Sequence, residues 1–289
     1  MADTAIVFEA HDNYVLDLKF TPDSSTLISC GMDALIRLWS APGWRHETTL
    51  AGHEKSVNSL SLSADGRTLA SGSTDGTVRL WTLPGGHLQH TMEVSKKTVA
   101  AVAIGPGDDQ VASASYGGKV AIWRLDGAPL CAFKASKKNL SSVTYAASNT
   151  LVVSGLGGEL TLWSVPEGEA VGTLAGHATA AGHLHRLDTG RLLSLGYEGD
   201  LRVWDVARLQ LLEVVQLEPP GARGLALSPD RARAAVSFKG MIQLRTVADW
   251  AVQRVFDVRA NAIYGMAFSP DGSWLAAGAA DKKIRVWAL

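Results

Sequence analysis

A short phrase ending in tryptophan recurs along the whole chain at a nearly constant interval, and it constrains the fold more than any other feature. The phrases end at Trp39, Trp81, Trp123, Trp163, Trp204 and Trp287. The first four steps are 42, 42, 40 and 41 residues, and the last is 83, which is two repeats. Arg245, at the end of MIQLR, occupies the missing tryptophan position. The chain therefore contains seven repeats, which we assign to a single domain, residues 1–289.

Each repeat has the pattern of four short β-strands. In the second repeat, the alternating segment VNSLSL (57–62) precedes TLASGS (68–73), a segment rich in small residues. An Asp75-Gly76 turn leads to a third strand ending in Trp81, and HLQHTME (87–93) follows a Pro-Gly turn. An Asp-Gly pair between apolar runs is a strong hairpin signal. Four antiparallel strands in about 40 residues form one blade of a β-propeller.

The same residues resemble the signature of the WD40-repeat (WD-repeat) β-propeller family. Its Gly-His pair before the first strand is matched by Gly52–His53 and Gly176–His177, and its Trp-Asp pair by Trp204–Asp205. The other tryptophans lack the aspartate, so the repeats are degenerate, although their spacing is regular. The resemblance covers residues 4–289. It implies an all-β fold, a seven-bladed β-propeller of four-stranded antiparallel blades.

The two ends of the sequence suggest how such a ring closes. The chain stops two residues after Trp287, so the seventh repeat lacks a fourth strand. Residues 4–10 stand where fourth strands stand in the other repeats. We expect this N-terminal strand to pair with 283–288 and complete the last blade, which removes two exposed sheet edges.

The resemblance also implies a buried tetrad of His, Ser, Asp and Trp in the better-preserved blades. The three structural tetrads are His11, Ser29, Asp33 and Trp39; His53, Ser71, Asp75 and Trp81; and His177, Ser194, Glu198 and Trp204. Serine, histidine and aspartate also form hydrolase triads. Because the set recurs at the repeat spacing and no catalytic motif accompanies it, we predict no catalytic residue, no enzyme activity and no cofactor.

Histidines are the remaining candidates for metal binding. His183 and His185 lie on the same side of a strand, and His177 is near them in sequence. The tetrad already uses His177, and we expect no carboxylate or cysteine to complete a first shell. The sequence therefore predicts no metal site.

The resemblance places partner binding on the top face, the rim shared by the fourth-to-first and second-to-third strand connections. The positions predicted to bind a partner there are Tyr14, Met32, Asn58, Thr74, Tyr116, Asn139, Tyr197, Arg223, Phe238 and Tyr264. Aromatic side chains are common binding hot spots. The alternative is that some of them, Phe238 in particular, only fill space at the rim.

Basic residues accompany these aromatics although the net charge is only -1. The predicted top connections carry Lys55, Lys96, Lys97, Lys137, Lys138, Arg223, Lys239 and Arg259. They suit an acidic or phosphorylated segment of a protein partner, or they are ordinary solvated charges. The balanced charge argues against nucleic acid as a partner.

The sequence thus predicts a non-enzymatic scaffold or adaptor that binds a partner peptide or loop on the top face. The alternative is a propeller that binds a small ligand or performs catalysis in its central channel. No apolar run reaches the ~18 residues of a membrane span, and the start does not have the pattern of a secretory signal. With only two cysteines, the cytoplasm is the expected compartment.

Overall fold

The computed structural model describes residues 4–289, and they form 28 β-strands in seven four-stranded antiparallel sheets. Each sheet contains consecutive strands, except the one in which β1 joins β26–β28. The predicted seven-bladed β-propeller of antiparallel blades, with the N-terminal strand completing the last one, is therefore confirmed. The described residues include no helix, and hence none that could cross a membrane.

The strands group into two compact units, and we describe each separately. Unit 1 comprises the residues up to Val57 and Pro219–Leu289. Its strands are β1 (Ile6–Glu9); β2 (Val15–Phe20), β3 (Thr26–Gly31), β4 (Ile36–Ser40) and β5 (Arg45–Leu50) of blade one; β22 (Gly224–Leu227), β23 (Arg233–Phe238), β24 (Met241–Thr246) and β25 (Val252–Asp257) of blade six; and β26 (Ile263–Phe268), β27 (Trp274–Ala279) and β28 (Lys283–Ala288) of blade seven.

Unit 2 spans Asn58–Glu218 and contains blades two to five, apart from Val57, the first residue of β6, which belongs to unit 1. Its strands are β6 (Val57–Leu62), β7 (Thr68–Ser73), β8 (Thr77–Thr82) and β9 (His87–Glu93); β10 (Val99–Ile104), β11 (Gln110–Ser115), β12 (Lys119–Arg124) and β13 (Pro129–Lys134); β14 (Leu140–Ala147), β15 (Thr150–Gly155), β16 (Leu160–Ser164) and β17 (Ala170–Leu174); and β18 (Ala181–Arg186), β19 (Arg191–Gly196), β20 (Leu201–Asp205) and β21 (Gln210–Val215). The single-domain assignment stays a prediction.

The repeated tryptophan has the same structural setting in successive blades. The pairing of the third and fourth strands shifts register just before this position, as between Leu38 and Trp39 or between Val203 and Trp204. Such a bulge re-aims the side chain relative to the pleat. Trp204 and Trp287 are almost wholly buried among the aliphatic residues of neighbouring blades in their own units. The repeat thus reflects the way in which each blade packs.

Within each unit, neighbouring blades approach closely through their first strands, because small residues stand there. A Cβ atom at Gly265 in blade seven would lie 2.8 Å from Asp17 Cα in blade one. In unit 2, the Ser59 and Ser61 hydroxyls accept hydrogen bonds from the Val102 and Ile104 amides of the next blade. Blade packing therefore combines apolar burial with direct polar contacts between sheets.

Candidate functional site

The tetrad of blade one is a continuous chain of buried hydrogen bonds. The Trp39 indole N–H donates to Ser29 Oγ at 2.9 Å, and Ser29 Oγ lies 2.8 Å from His11 Nε2. On the other side of the ring, His11 Nδ1 lies 2.9 Å from Asp33 Oδ1. Ser29 and His11 are buried, so each bond meets a polar need that water cannot meet there.

An arginine, which the sequence analysis did not include, joins this tetrad. Arg37 Nη1 lies 2.6 Å from Asp33 Oδ2, and in blade seven Arg285 Nη2 lies 2.5 Å from Asp281 Oδ2. Burial raises the pKa of Asp33, but the hydrogen bonds from His11 and Arg37 outweigh it and hold that pKa well below its usual range. The available sequence signal was the arginine two positions before tryptophan in LIRLW and KIRVW.

Blade two uses its predicted set in a related way. The Trp81 indole N–H donates to Ser71 Oγ at 2.9 Å. The Asp75 carboxylate caps its own turn, accepting from the Thr77 amide at 2.9 Å and from the Thr77 hydroxyl at 2.7 Å. His53 is buried like the other tetrad histidines. In these contacts, Ser71, Asp75 and Trp81 have structural roles.

Blade five has a second carboxylate beside its tetrad. His177 Nε2 lies 2.6 Å from Ser194 Oγ, and His177 Nδ1 lies 2.5 Å from Glu198 Oε1. Asp200 Oδ1 lies 3.7 Å from the same Nδ1. A second carboxylate, which the sequence did not predict, therefore stands beside His177. Gly199, at a φ of 99°, lets the chain turn so that both acids meet the imidazole.

The surroundings of the blade-five tetrad also shift the pKa values of its carboxyl and imidazole groups. Burial raises the pKa of Glu198, but hydrogen bonds from the Thr179 hydroxyl and from His177 lower it to about 2. Burial lowers the pKa of His177, and the hydrogen bond to Glu198 only partly opposes this effect. Arg202 does not engage the turn acid as Arg37 does, but donates to Asp200 Oδ2 at 3.1 Å.

In unit 1, three predicted top-face residues lie together and are exposed. The Met32 amide donates to the Tyr14 carbonyl at 2.9 Å, which joins the second-to-third turn of blade one to the start of its first strand. The Tyr14 and Tyr264 rings stack with centroids 5.8 Å apart and planes 20° apart. Tyr14, Met32 and Tyr264 are 39%, 41% and 38% exposed. Blades one and seven thus present an aromatic and apolar surface to solvent.

In unit 2, the same kind of backbone hydrogen bond joins the turn that carries a predicted tyrosine to the residues that precede the first strand of that blade. The Tyr116 amide donates to the Thr98 carbonyl at 2.8 Å, and the Tyr197 amide to the Ala180 carbonyl at 2.9 Å. Both tyrosines are exposed, at 43% and 45%. Blades three and five therefore each present one exposed tyrosine at the junction of two rim loops.

Amide and hydroxyl side chains of the predicted set are engaged in internal contacts in unit 2. Asn58 Nδ2 donates to Thr74 Oγ1 at 3.1 Å and to the Val99 carbonyl at 2.9 Å. Asn139 Oδ1 accepts from the Gly117 amide at 2.8 Å. Asn58, Thr74 and Asn139 are only partly accessible. Their observed contacts tie rim loops of neighbouring blades together.

Phe238, a predicted partner-binding residue, is only 3% exposed, which favours the alternative that it fills space at the rim. In blade six the second and third strands are joined by two residues, Lys239 and Gly240, and Phe238 still pairs with Met241 inside the sheet. In blade one the same connection spans four residues, so Met32 stands in a turn. The shorter turn keeps Phe238 in the strand. Arg223, by contrast, is exposed in blade six.

Two exposed lysine pairs flank Tyr116 in unit 2. Lys96–Lys97 precede blade three, and Lys137–Lys138 precede blade four. A Cβ atom at Gly117, the position of the turn acid in other blades, would lie 2.9 Å from Lys97 Nζ. In residues 4–289, none of the four lysines has an ion-pair partner. The surface is therefore basic where blades one, two and five carry a turn acid.

A separate cavity of about 260 Å³ opens beside the blade-one tetrad in unit 1. Its lining includes Glu9, His11, Asp12, Arg37, Trp39 and His46. None of the ten predicted top-face residues lines it.

Two comparisons with known proteins bear on this arrangement. The family profile described as "WD domain, G-beta repeat" (WD40) matches residues 3–40, 44–82, 86–124 and 250–288, which together are just over half of the chain. A relative, WD repeat-containing protein SL1-17 of Schistosoma mansoni, is 27% identical over 161 residues. This match covers 55% of the chain and 53% of the relative, so it spans about half the length of that protein.

Proposed function

Because this chain belongs to the WD40 family, whose propellers commonly mediate protein interactions, we propose that it is a non-enzymatic scaffold for a protein partner. The observation that carries the proposal is the stacked, exposed pair of Tyr14 and Tyr264 in unit 1. Two rigid aromatic rings can bury a large apolar area at low entropic cost, while their hydroxyls stay available for polar contacts. We assign this pair to the binding of a partner peptide or loop, in the cytoplasm.

We further propose that unit 2 binds an acidic or phosphorylated segment of a protein partner. The four lysines beside Tyr116 support this, since they are exposed and have no carboxylate partner among the described residues. Ammonium groups favour carboxylate and phosphate groups, and charge complementarity speeds the encounter more than it tightens the final complex.

The first experiment is affinity capture from native lysate, with the full chain as bait and mass spectrometry as the readout. A Tyr14→Ala/Tyr264→Ala variant should lose the protein that the wild type enriches. A Val171→Ala/Leu212→Ala variant, which truncates two residues more exposed than the tyrosines on outer strands of unit 2, should retain it. Circular dichroism and melting curves establish that both variants are folded. Retention of every captured protein by the tyrosine variant would contradict the proposed surface.

The charge of the partner is tested separately with synthetic peptides. Fluorescent peptides of one length, either glutamate-rich, phosphoserine-containing or neutral, are titrated into the wild type and into a variant with Lys96, Lys97, Lys137 and Lys138 changed to Glu. Binding of an anionic peptide should weaken at least tenfold in this variant and should fall with added salt. The matched Lys→Arg variant should keep the affinity. Equal binding of the neutral peptide would overturn the proposed partner charge.

A further inference from the structure

The buried end of blade five brings one imidazole and two carboxylates together. His177 Nδ1, a Glu198 oxygen and an Asp200 oxygen all lie within 4.8 Å of one another. His177 and Asp200 are buried, and Glu198 is half-buried. The tetrad accounts for the contact between His177 and Glu198, but it gives no role to Asp200.

Asp200 supplies an independent sign that this cluster can bind a ligand. Its side chain is only 8% exposed, and its Oδ1 atom has no hydrogen-bond partner in the described part of the chain. This atom points toward His177 Nδ1, 3.7 Å away. A buried acceptor without a donor is destabilising, and more so when it belongs to a charged group. A cation between these atoms would satisfy it.

The charge balance differs from that of blade one. There, the Arg37 guanidinium faces one buried carboxylate, that of Asp33, and at 3.5 Å the exposed carboxylate of Asp12. Blade five sets two carboxylates, Glu198 and Asp200, against the single guanidinium of Arg202. The position of Asp200 is held by Leu35 in blade one and by Thr77 in blade two. A second carboxylate that is buried is therefore particular to blade five among the three tetrads.

We propose that blade five binds a divalent transition-metal ion, with Zn²⁺ the best match, through His177 Nδ1, Glu198 Oε1 and Asp200 Oδ1. One nitrogen and two carboxylate oxygens suit Zn²⁺ or a neighbouring first-row ion, whereas Ca²⁺ and Mg²⁺ favour oxygen ligands. Tetrahedral ligands of Zn²⁺ stand about 3.4 Å apart. The His177–Glu198 contact must therefore open by about 1 Å, within reach of a half-buried side chain.

The tetrad remains compatible with a metal on this side of the ring. A metal at Nδ1 requires the imidazole proton to stand on Nε2, which lies 2.6 Å from Ser194 Oγ and can donate to it. The ion can enter from the side of Thr179, an exposed residue whose hydroxyl hydrogen-bonds the other Glu198 oxygen. Ser194 then holds the liganding ring in place.

The test measures metal binding by the full chain after dialysis against a chelator. Isothermal titration with Zn²⁺ should give one site per chain, and Co²⁺ should produce visible d–d absorption. Glu198→Gln and Asp200→Asn should each weaken Zn²⁺ at least tenfold. Asp33→Asn, which alters the matching acid of blade one, should leave the Zn²⁺ affinity unchanged. Weakening by all three variants, or by none of them, would overturn the site.

A second measurement does not depend on how well the variants fold. X-ray absorption of the wild-type Zn²⁺ complex should show only nitrogen and oxygen ligands, with the multiple scattering of a single imidazole. Sulfur ligands or two imidazoles would refute this ligand set.

A His183→Asn/His185→Asn variant should bind Zn²⁺ like the wild type, and its failure to do so would move the metal to that strand. No binding by the wild type would also end the proposal.

Discussion

Single residues in this protein act through complete hydrogen-bond chains. In blade one, hydrogen bonds link tryptophan to serine, serine to histidine and histidine to aspartate, and an ion pair links aspartate to arginine. Every polar side chain in this buried chain therefore has a partner. In blade six, Arg245 stands in the tryptophan position, and its buried polar groups form different hydrogen bonds. Its Nε donates to Gln243 Oε1 at 2.9 Å and its Nη1 to the Trp250 carbonyl at 2.8 Å. The tryptophan position is thus buried in blade six as in blade one, but a different type of side chain fills it.

The first residue-scale prediction concerns Trp81, which is 2% exposed. Trp81→Ala should lower the free energy of unfolding by about 3–5 kcal/mol, because it leaves a cavity and an unused Ser71 hydroxyl. Trp81→Phe keeps most of the ring volume and should cost clearly less. Denaturant titration followed by far-UV circular dichroism measures both. Equal losses for the two variants would mean that the indole N–H, and not its volume, is what blade two needs.

The second residue-scale prediction concerns the pH dependence due to Asp33. The pKa of this carboxyl is lower in the folded state than in the unfolded state, so its stabilising effect is present above about pH 4 and is lost as the pH falls below it. Asp33→Asn should destabilise the protein by roughly 1–3 kcal/mol at pH 7. The difference from the wild type should shrink between about pH 4 and pH 2. Chemical denaturation across that range measures it.

Glu47→Gln is the matched control for this effect, since Glu47 is an exposed acid on β5 of the same blade. Its stability difference should stay near zero at every pH. If Asp33→Asn remained equally destabilising at pH 2, the loss would come from altered packing and not from the missing charge.

At the scale of elements, β1 determines how blade seven is completed. Ile6 pairs with Val286 and Glu9 with Lys283, and the Lys283 ammonium lies 2.9 Å from Glu9 Oε1. The Phe8 ring also lies 4.9 Å from the Trp39 ring of blade one. The strand therefore contributes pairing to one blade and apolar packing to the next.

Deletion of residues 1–10 should lower the melting temperature by roughly ten degrees or more. The deletion exposes the backbone of β28 and one side of Trp39, each a loss of several hydrogen bonds or contacts. Moving residues 4–10 behind Leu289 through a short turn should restore most of the loss, because β1 is antiparallel to β28. Scanning calorimetry compares the three chains. An unchanged melting temperature after deletion would rule out a stabilising role for this strand.

At the scale of the whole molecule, the regular repeat predicts cooperative folding. The boundaries between the two units, near residues 57 and 219, each fall inside an ordinary repeat. The repeat from Trp39 to Trp81 is 42 residues long, and the repeat from Trp204 to Arg245 is 41 residues long. We therefore expect one thermal transition, with equal calorimetric and van't Hoff enthalpies. Two resolved transitions would show that the single-domain prediction was wrong. The readout is a calorimetric scan of the intact chain.

Most of this fold could be predicted from the sequence, because a repeated unit reveals its boundaries each time it recurs. Trp81 and its equivalents marked the blades, and residues 4–10 marked the strand that completes the last one. The burial of Phe238 was only one of two alternatives, because a turn two residues shorter keeps this residue inside the sheet, and spacing from a tryptophan does not report turn length. Asp200 was missed because its approach to His177 depends on the conformation of Gly199. Partner binding at Tyr14 and Tyr264 remains a prediction.

The pairing of β1 with β28 also has a consequence during synthesis. Glu9 leaves the ribosome long before Lys283, its partner in the sheet. At about 5–20 residues per second, the delay is on the order of 15–55 seconds. Throughout that interval the nascent chain carries Ile6, Val7 and Phe8 on a strand whose sheet does not yet exist. β1 is therefore synthesised long before β28, the strand with which it pairs, and its chance of pairing with another nascent chain depends on the rate of translation.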